Sequence, residues 1–146
     1  MKVFVTGASG HIGSVISAQL IAQGHQVIGL VRSEASAEKV KAIGAEPLMG
    51  DLTDLDVLKK GASEADGVIH TAFIHDFSKF QENAQIDKAA IEAMGTILEG
   101  TDKPIVITSG ILGVAKKGEF VLESDANDPA SPRFSEKVAL ELAAKG

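Results

Sequence analysis

A chain of 146 residues with a formal net charge of -6 is long enough to bury a core within one domain, and its acidity offers no basic face to nucleic acid or anionic lipid. Hydrophobic residues make up 45% and charged residues 23%, the balance of a folded chain rather than a disordered one. Cys is absent, which excludes a disulfide framework, a thiolate nucleophile and a sulfur metal site; Trp and Tyr are absent too.

The first strand, Val3-Phe4-Val5-Thr6, runs into a loop with Gly at 7, 10 and 13. Beyond it Ile12, Val15, Ile16, Leu20 and Ile21 recur at helical spacing. A buried strand, a tight turn and a helix opening are the setting that a dinucleotide-phosphate loop needs. The three glycines have separate tasks. Gly7 turns the chain off the strand, Gly10 lets backbone approach a pyrophosphate, and Gly13 lets helix and strand pack closely. Together with Ser9, His11 and Ile12, they place unpaired N–H groups and the positive end of a helix dipole before the phosphates. The competing reading of the same glycines is an ordinary turn.

Gly24-His25 closes the first helix, and Gln26–Val31 reads as a second strand. Ala37–Ile43 is a short helix ended by Gly44, and Ala45–Met49 is a third strand that Pro47 assigns to the sheet edge. Asp54–Ala62 is a helix capped by Thr53 or Asp54, and Gly67–Ala72 is a fourth strand. A long helical pattern covers residues 79 to 99. Pro104–Ser109 is a fifth strand, an apolar run of the kind covered on both faces. Ile111–Pro132 is irregular, and Arg133–Lys145 is the last helix. This alternation predicts an α/β fold, a doubly wound parallel sheet in three α/β/α layers, for which the strand order expected of a Rossmann-like sheet is 3-2-1-4-5. Strands one and four then flank the switch point where a dinucleotide lies. The loops that carry chemistry start at Gly7, Arg32, Asp51, Thr71 and Ser109.

The end of the second strand speaks to the choice of cofactor. An NAD site places an acid there for the adenosine ribose hydroxyls. Here the segment is Leu30-Val31-Arg32-Ser33, with no acid before Glu34. Arg32 can hold a 2′-phosphate by forked hydrogen bonds and Ser33 can add a donor, so NADP is expected, with NAD the alternative. The plain reading of Arg32 is a solvated surface side chain.

Thr6-Gly7-Ala8-Ser9-Gly10-His11-Ile12-Gly13 resembles the TGxxGxxG loop of the extended and atypical short-chain dehydrogenases/reductases. That resemblance implies a Rossmann-like cofactor-binding half. It places Asp51 near the adenine amino group with Leu52 against the ring, and Thr71, Ala72 and Phe73 along the ribose. Asp51 reads equally well as a turn or cap residue. The family's catalytic set is a Ser, a Tyr and a Lys four residues after the Tyr. Ser109 ends strand five at the position of the Ser, where it would orient a substrate carbonyl. Aligned on Lys137, which would contact the nicotinamide ribose, Arg133 stands in the place of the Tyr; aligned on Ser135, Glu136 takes the place of the Lys. Neither register supplies a phenol. The chain is similar here to an atypical, epimerase-like branch of the family, in the Arg133-Phe134-Ser135-Glu136 helix start and in Asp87, which replaces a helix Asn. Lys137, Glu141 and Lys145 also form an i, i+4 stripe, the pattern of a solvated helix edge.

The family commonly dimerises through the helices that correspond to 79–99 and 133–145, and a homodimer is expected on that ground. The chain matches the cofactor half of such proteins; a sixth strand and a substrate segment have no counterpart in it. Two functions follow: an NADP(H)-dependent oxidoreductase or epimerase acting on a small carbonyl or hydroxyl substrate, or a redox-silent NADP-binding module, sensor or truncated fragment. Of the histidines, His70 and His75 with Asp76 could converge on a metal, but no helical ligand spacing supports this and loop polarity is the expectation. Thr108-Ser109-Gly110 lacks the GxSxG elbow, and no Walker pattern is present. A core strand at the N-terminus and no apolar run near 18 residues lead to the expectation of a cytoplasmic protein without a membrane span.

Overall fold

The computed structural model describes residues 1–115 and 118–145. Its strands are β1 (Lys2–Thr6), β2 (Gln26–Val31), β3 (Glu46–Met49), β4 (Gly67–His70) and β5 (Ile105–Ile107). Between them run α1 (His11–Ala22), α2 (Glu34–Ala42), α3 (Leu55–Glu64) and α4 (Phe80–Leu98); α5 (Ser135–Ala143) follows β5. All strand pairs are parallel and the order is β3-β2-β1-β4-β5, so the expected winding is the observed one. Among the described residues no helix is long and apolar enough to cross a membrane.

Alternation along the strands builds two cores. Phe4, Ile28, Leu30 and Val68 point to one face and pack with Leu58, Ala62 and Met94 of α3 and α4. Val3, Val5, Val27 and Val31 point to the other, beside Ala37 and Val40 of α2. The outer strand β3 tolerates Pro47, paired in register with Gly29.

Several expectations need correction. Ile12 and Val15 recur at helical spacing with Ile16, Leu20 and Ile21, yet Ile12 is 57% and Val15 52% exposed. The buried residues of α1 are Gly13 and Ser17, and at Gly13 the helix lies too close to the loop after β1 for any side chain. The second helix begins three residues before Ala37, since Ser33 caps it by accepting from Ser36 N–H at 3.2 Å. Asp54, not Thr53, caps α3. The fourth strand ends at His70 rather than Ala72.

The fifth strand also differs. The strand itself covers only Ile105–Ile107, and Val106 is 58% exposed. Ile105 packs into the α3/α4 core, and α5 lies against α4 and β5. Val106, in register with Ile69, faces the opposite side, which at this outer strand no helix among the described residues shields from solvent. An apolar run shows that both faces suit a core; it does not show that both are filled. Within the stretch expected to be irregular lie a short 3-10 turn at Ile111–Gly113 and a bridge between Val114 and Asn127. Lys116 and Lys117 of that stretch, and Gly146, fall outside the described residues.

Candidate cofactor site

The loop after β1 has the geometry its glycines suggest. Gly7 has φ +72°, a left-handed conformation, and a Cβ there would meet Thr71 Oγ1 at 2.8 Å. At Gly13 a Cβ would lie 2.1 Å from the Gly7 carbonyl oxygen, which any side chain would displace. Gly10 N–H donates to Gly7 O at 2.9 Å and closes the turn. Gly10 is also the N-cap of α1, where no side chain caps the helix and no acid lies in the first turn. The amides of His11, Ile12 and Gly13 therefore open toward the loop with the helix dipole behind them. Ser9 is half-buried, while Gly10, His11 and Ile12 are exposed. This cradle fits a pyrophosphate.

Thr71 and Ala72 tie the loop after β4 to β1: Thr71 Oγ1 donates to Thr6 O at 2.8 Å, and Ala72 N–H donates to Thr6 Oγ1 at 3.3 Å. The ends of β1 and β4 are thus adjacent, at the switch point of the sheet.

On the β2/β3 side, Arg32 and Ser33 are exposed at the end of β2. The Ser33 hydroxyl is engaged locally: besides capping α2, it donates to Ser36 Oγ at 3.1 Å. Asp51 accepts from Thr53 Oγ1 at 2.6 Å and from Thr53 N–H at 2.7 Å. These two bonds hold its carboxyl below the usual carboxylate range, with a smaller contribution from the charge on Arg32. Leu52 is buried in the α3/α4 core.

On the β4/β5 side, a row of buried polar side chains connects the strands to the two last helices. Thr6, His70, Asp87 and Ser135 are all 1% exposed or less. Thr6 Oγ1 lies 2.7 Å from His70 Nδ1, and His70 Nε2 lies 3.0 Å from Asp87 Oδ1. Ser135 Oγ donates to Asp87 Oδ2 at 2.5 Å, and Arg133 Nε donates to Ser135 Oγ at 2.9 Å. The direction of the bonds follows from the partners. A carboxylate can only accept, so a neutral imidazole carries its ring proton on Nε2 toward Asp87, and Nδ1 then accepts from the Thr6 hydroxyl. From both ends the donors run toward one carboxylate.

The chain of bonds ends at Arg133. Its Nη2 donates to Thr108 O at 2.9 Å, and its guanidinium carbon sits 4.3 Å from the centroid of the Phe73 ring. Phe73 in turn meets His75 edge-on at 5.7 Å and Phe80 at 5.9 Å. Ser109, expected to end strand five, lies beyond β5, which stops at Ile107, and is exposed. Lys137 points to solvent, its side chain 69% exposed and its Nζ 4.0 Å from Glu141. Among the described residues no group of three His, Asp or Glu side chains could hold a metal; His70 is spent on Asp87.

The sequence reads His70 as loop polarity, and reads Arg133 and Ser135 as departures from the catalytic motif that match the atypical branch, with no bonding partners assigned to them. A signal was available at Asp87, which shares a helical stripe with Ala84, Ala90, Ile91 and Met94, all buried. A carboxylate in such a stripe demands partners.

The comparisons with known proteins agree with this geometry. The family described as NAD(P)H-binding matches residues 7–138. The chain belongs to that family, and it is an NAD(P)-binding domain of the short-chain dehydrogenase/reductase type. An uncharacterised protein of Schizosaccharomyces pombe is 48% identical over 148 residues, an alignment covering 100% of this chain and 50% of that protein. The chain therefore spans about half the length of this curated relative. The yeast methylglyoxal/isovaleraldehyde reductase complexed with NADPH superposes with a TM-score of 0.72 at 25% identity, covering 99% of this chain and 50% of that one. UDP-glucose 4-epimerase from Bifidobacterium longum, in complex with NAD+ and UDP, gives a TM-score of 0.73 over 99% of this chain and 47% of that one; at 19% identity it shows the fold alone.

Proposed function

We propose that this chain is the NADP(H)-binding half of an oxidoreductase or epimerase acting on a small carbonyl or hydroxyl substrate. The observation that carries the reading is the cradle at Gly7–Gly13, where a Cβ would strike backbone and an uncapped helix faces the loop. When bound, the nicotinamide supplies the hydride chemistry. The chain's own residues bind and orient: the loop amides hold the pyrophosphate, Thr71–Phe73 line the second ribose, and Ser109 orients the substrate oxygen. Asp51 and Leu52 would border the adenine. Lys137 is the ribose contact expected from the resemblance, and its surface pairing with Glu141 weighs against that role.

NADP rather than NAD is supported by Arg32 at the end of β2, exposed and free of a preceding acid. Arg32→Ala is expected to weaken NADPH by about 10- to 150-fold, the value of one charge-assisted hydrogen bond, and NADH by much less. Fluorescence titration of both nucleotides measures this, and equal losses would remove the NADP assignment.

A second reading, a redox-silent NADP-binding module, is favoured by one specific observation: the chain has no Tyr to donate a proton. Following reduced-nicotinamide absorbance with a panel of aldehydes and ketones separates the two. Turnover lost in Ser109→Ala supports the enzyme; NADPH binding without turnover supports the module. We also assign the protein to the cytoplasm and to a homodimer through α4 and α5, where Leu140 is 64% exposed; sedimentation at micromolar concentration tests the dimer.

A further inference from the structure

We propose that Arg133 is a cofactor-binding residue, holding the nicotinamide-riboside half of the dinucleotide. The inference rests on the dinucleotide lying across the switch point and is independent of whether its adenosine carries a 2′-phosphate.

The argument begins with the layout of the sheet. A ligand seated by its pyrophosphate at the end of β1 must send one nucleoside to each side. The ends of β2 and β3 lie on one side, and the ends of β4 and β5 on the other. With strands about 4.8 Å apart, the end of β5 is about 10 Å from β1, within reach of a single nucleoside. Arg133 stands at that end. Its guanidinium bridges the loop after β4, through the ring of Phe73, and the end of β5, through the carbonyl of Thr108.

The fork is also fixed. Ser135 Oγ holds Nε, and Ser135 is itself held by the buried carboxylate of Asp87. A purely structural tie between α5 and β5 needs only Nε and one N–H of Nη2. Both N–H groups of Nη1 have no acceptor among the described residues. Nη1 packs against Gly110, where a Cβ would stand 3.3 Å from it, so the glycine lets the cation sit close to the backbone beyond β5. A guanidinium can only donate. A nicotinamide riboside offers the matching acceptors, two ribose hydroxyls and a carboxamide oxygen. The buried row Thr6–His70–Asp87–Ser135 then serves as a positioning device, because it immobilises a long side chain whose freedom would otherwise oppose binding.

The test compares NADPH and NADH with ADP, which carries the adenosine and pyrophosphate common to both. Dissociation constants are measured by calorimetry for the wild type, Arg133→Met and Arg133→Lys. Arg133→Met is expected to weaken both dinucleotides by about 10-fold or more while ADP stays within about twofold, with Arg133→Lys between. Unchanged dinucleotide affinity, or equal weakening of ADP, overturns the proposal. Should Arg133→Met not fold, the wild type gives the answer by NMR. The Arg133 Nε–H resonance should move on saturation with NADPH and not with ADP, and no difference between the two ligands counts against the role. Binding of NADH but not NADPH would remove the NADP assignment and leave this inference standing.

Discussion

Gly13 shows how much one hydrogen atom in place of a methyl group can decide. The Gly7 carbonyl oxygen occupies the position a Cβ would need, 2.1 Å away. Gly13→Ala must push α1 off β1, and the overpacking is expected to cost about 1–3 kcal/mol in a urea titration, with NADPH binding lost in parallel. Asp87 is the opposite case, a residue whose value lies in its partners. It receives hydrogen bonds from His70 and Ser135 with no access to water. Asp87→Asn keeps the shape but offers one carbonyl for two donors, so a donor is stranded. The expected loss is about 1–3 kcal/mol, read as a lower denaturation midpoint with an unchanged m-value.

Among the elements, α2 was read as starting at Ala37 because apolar periodicity begins there. The structure starts it at Glu34, because a cap and a charged first turn carry no hydrophobic signal. Ser33 therefore has a structural task beside the phosphate contact proposed for it. Ser33→Ala is expected to lower stability by about 1 kcal/mol through loss of the cap, and differential scanning calorimetry checks it. A fall in NADPH affinity beyond that seen for NADH would add the second role. β5 teaches a related lesson. Its sequence is apolar throughout, but Val106 remains half-exposed because coverage is a property of neighbours, not of the strand. The same holds for Ile12 and Val15 on α1, where the small residues Gly13 and Ser17 face the sheet instead.

At the scale of the whole molecule, the cofactor and the fold are coupled by mass action. The site joins the carboxyl ends of the sheet strands, so a bound dinucleotide adds its binding free energy to that of the folded state. NADPH at about 100 times its dissociation constant should stabilise the chain by about 2.7 kcal/mol. For a domain of this size that raises Tm by about 5–10 °C, measurable by differential scanning fluorimetry. ADP should give a smaller shift at the same concentration, as it lacks the half assigned to Arg133.

The parallel sheet and the phosphate loop were legible in the amino-acid sequence because each depends on local pattern, whereas the strand order was expected from the Rossmann-like class. Strand and helix periods are short-range, and three glycines at fixed spacing report a backbone path that other residues cannot follow. The polar row from Thr6 to Arg133 was not legible, since its members come from β1, β4, α4 and the start of α5, up to 127 positions apart (133 − 6). Their spacing carries no period. Only the tertiary fold brings a carboxylate, an imidazole and a hydroxyl into one water-free interior, where each must be bonded and a guanidinium is thereby fixed at the mouth of the crevice.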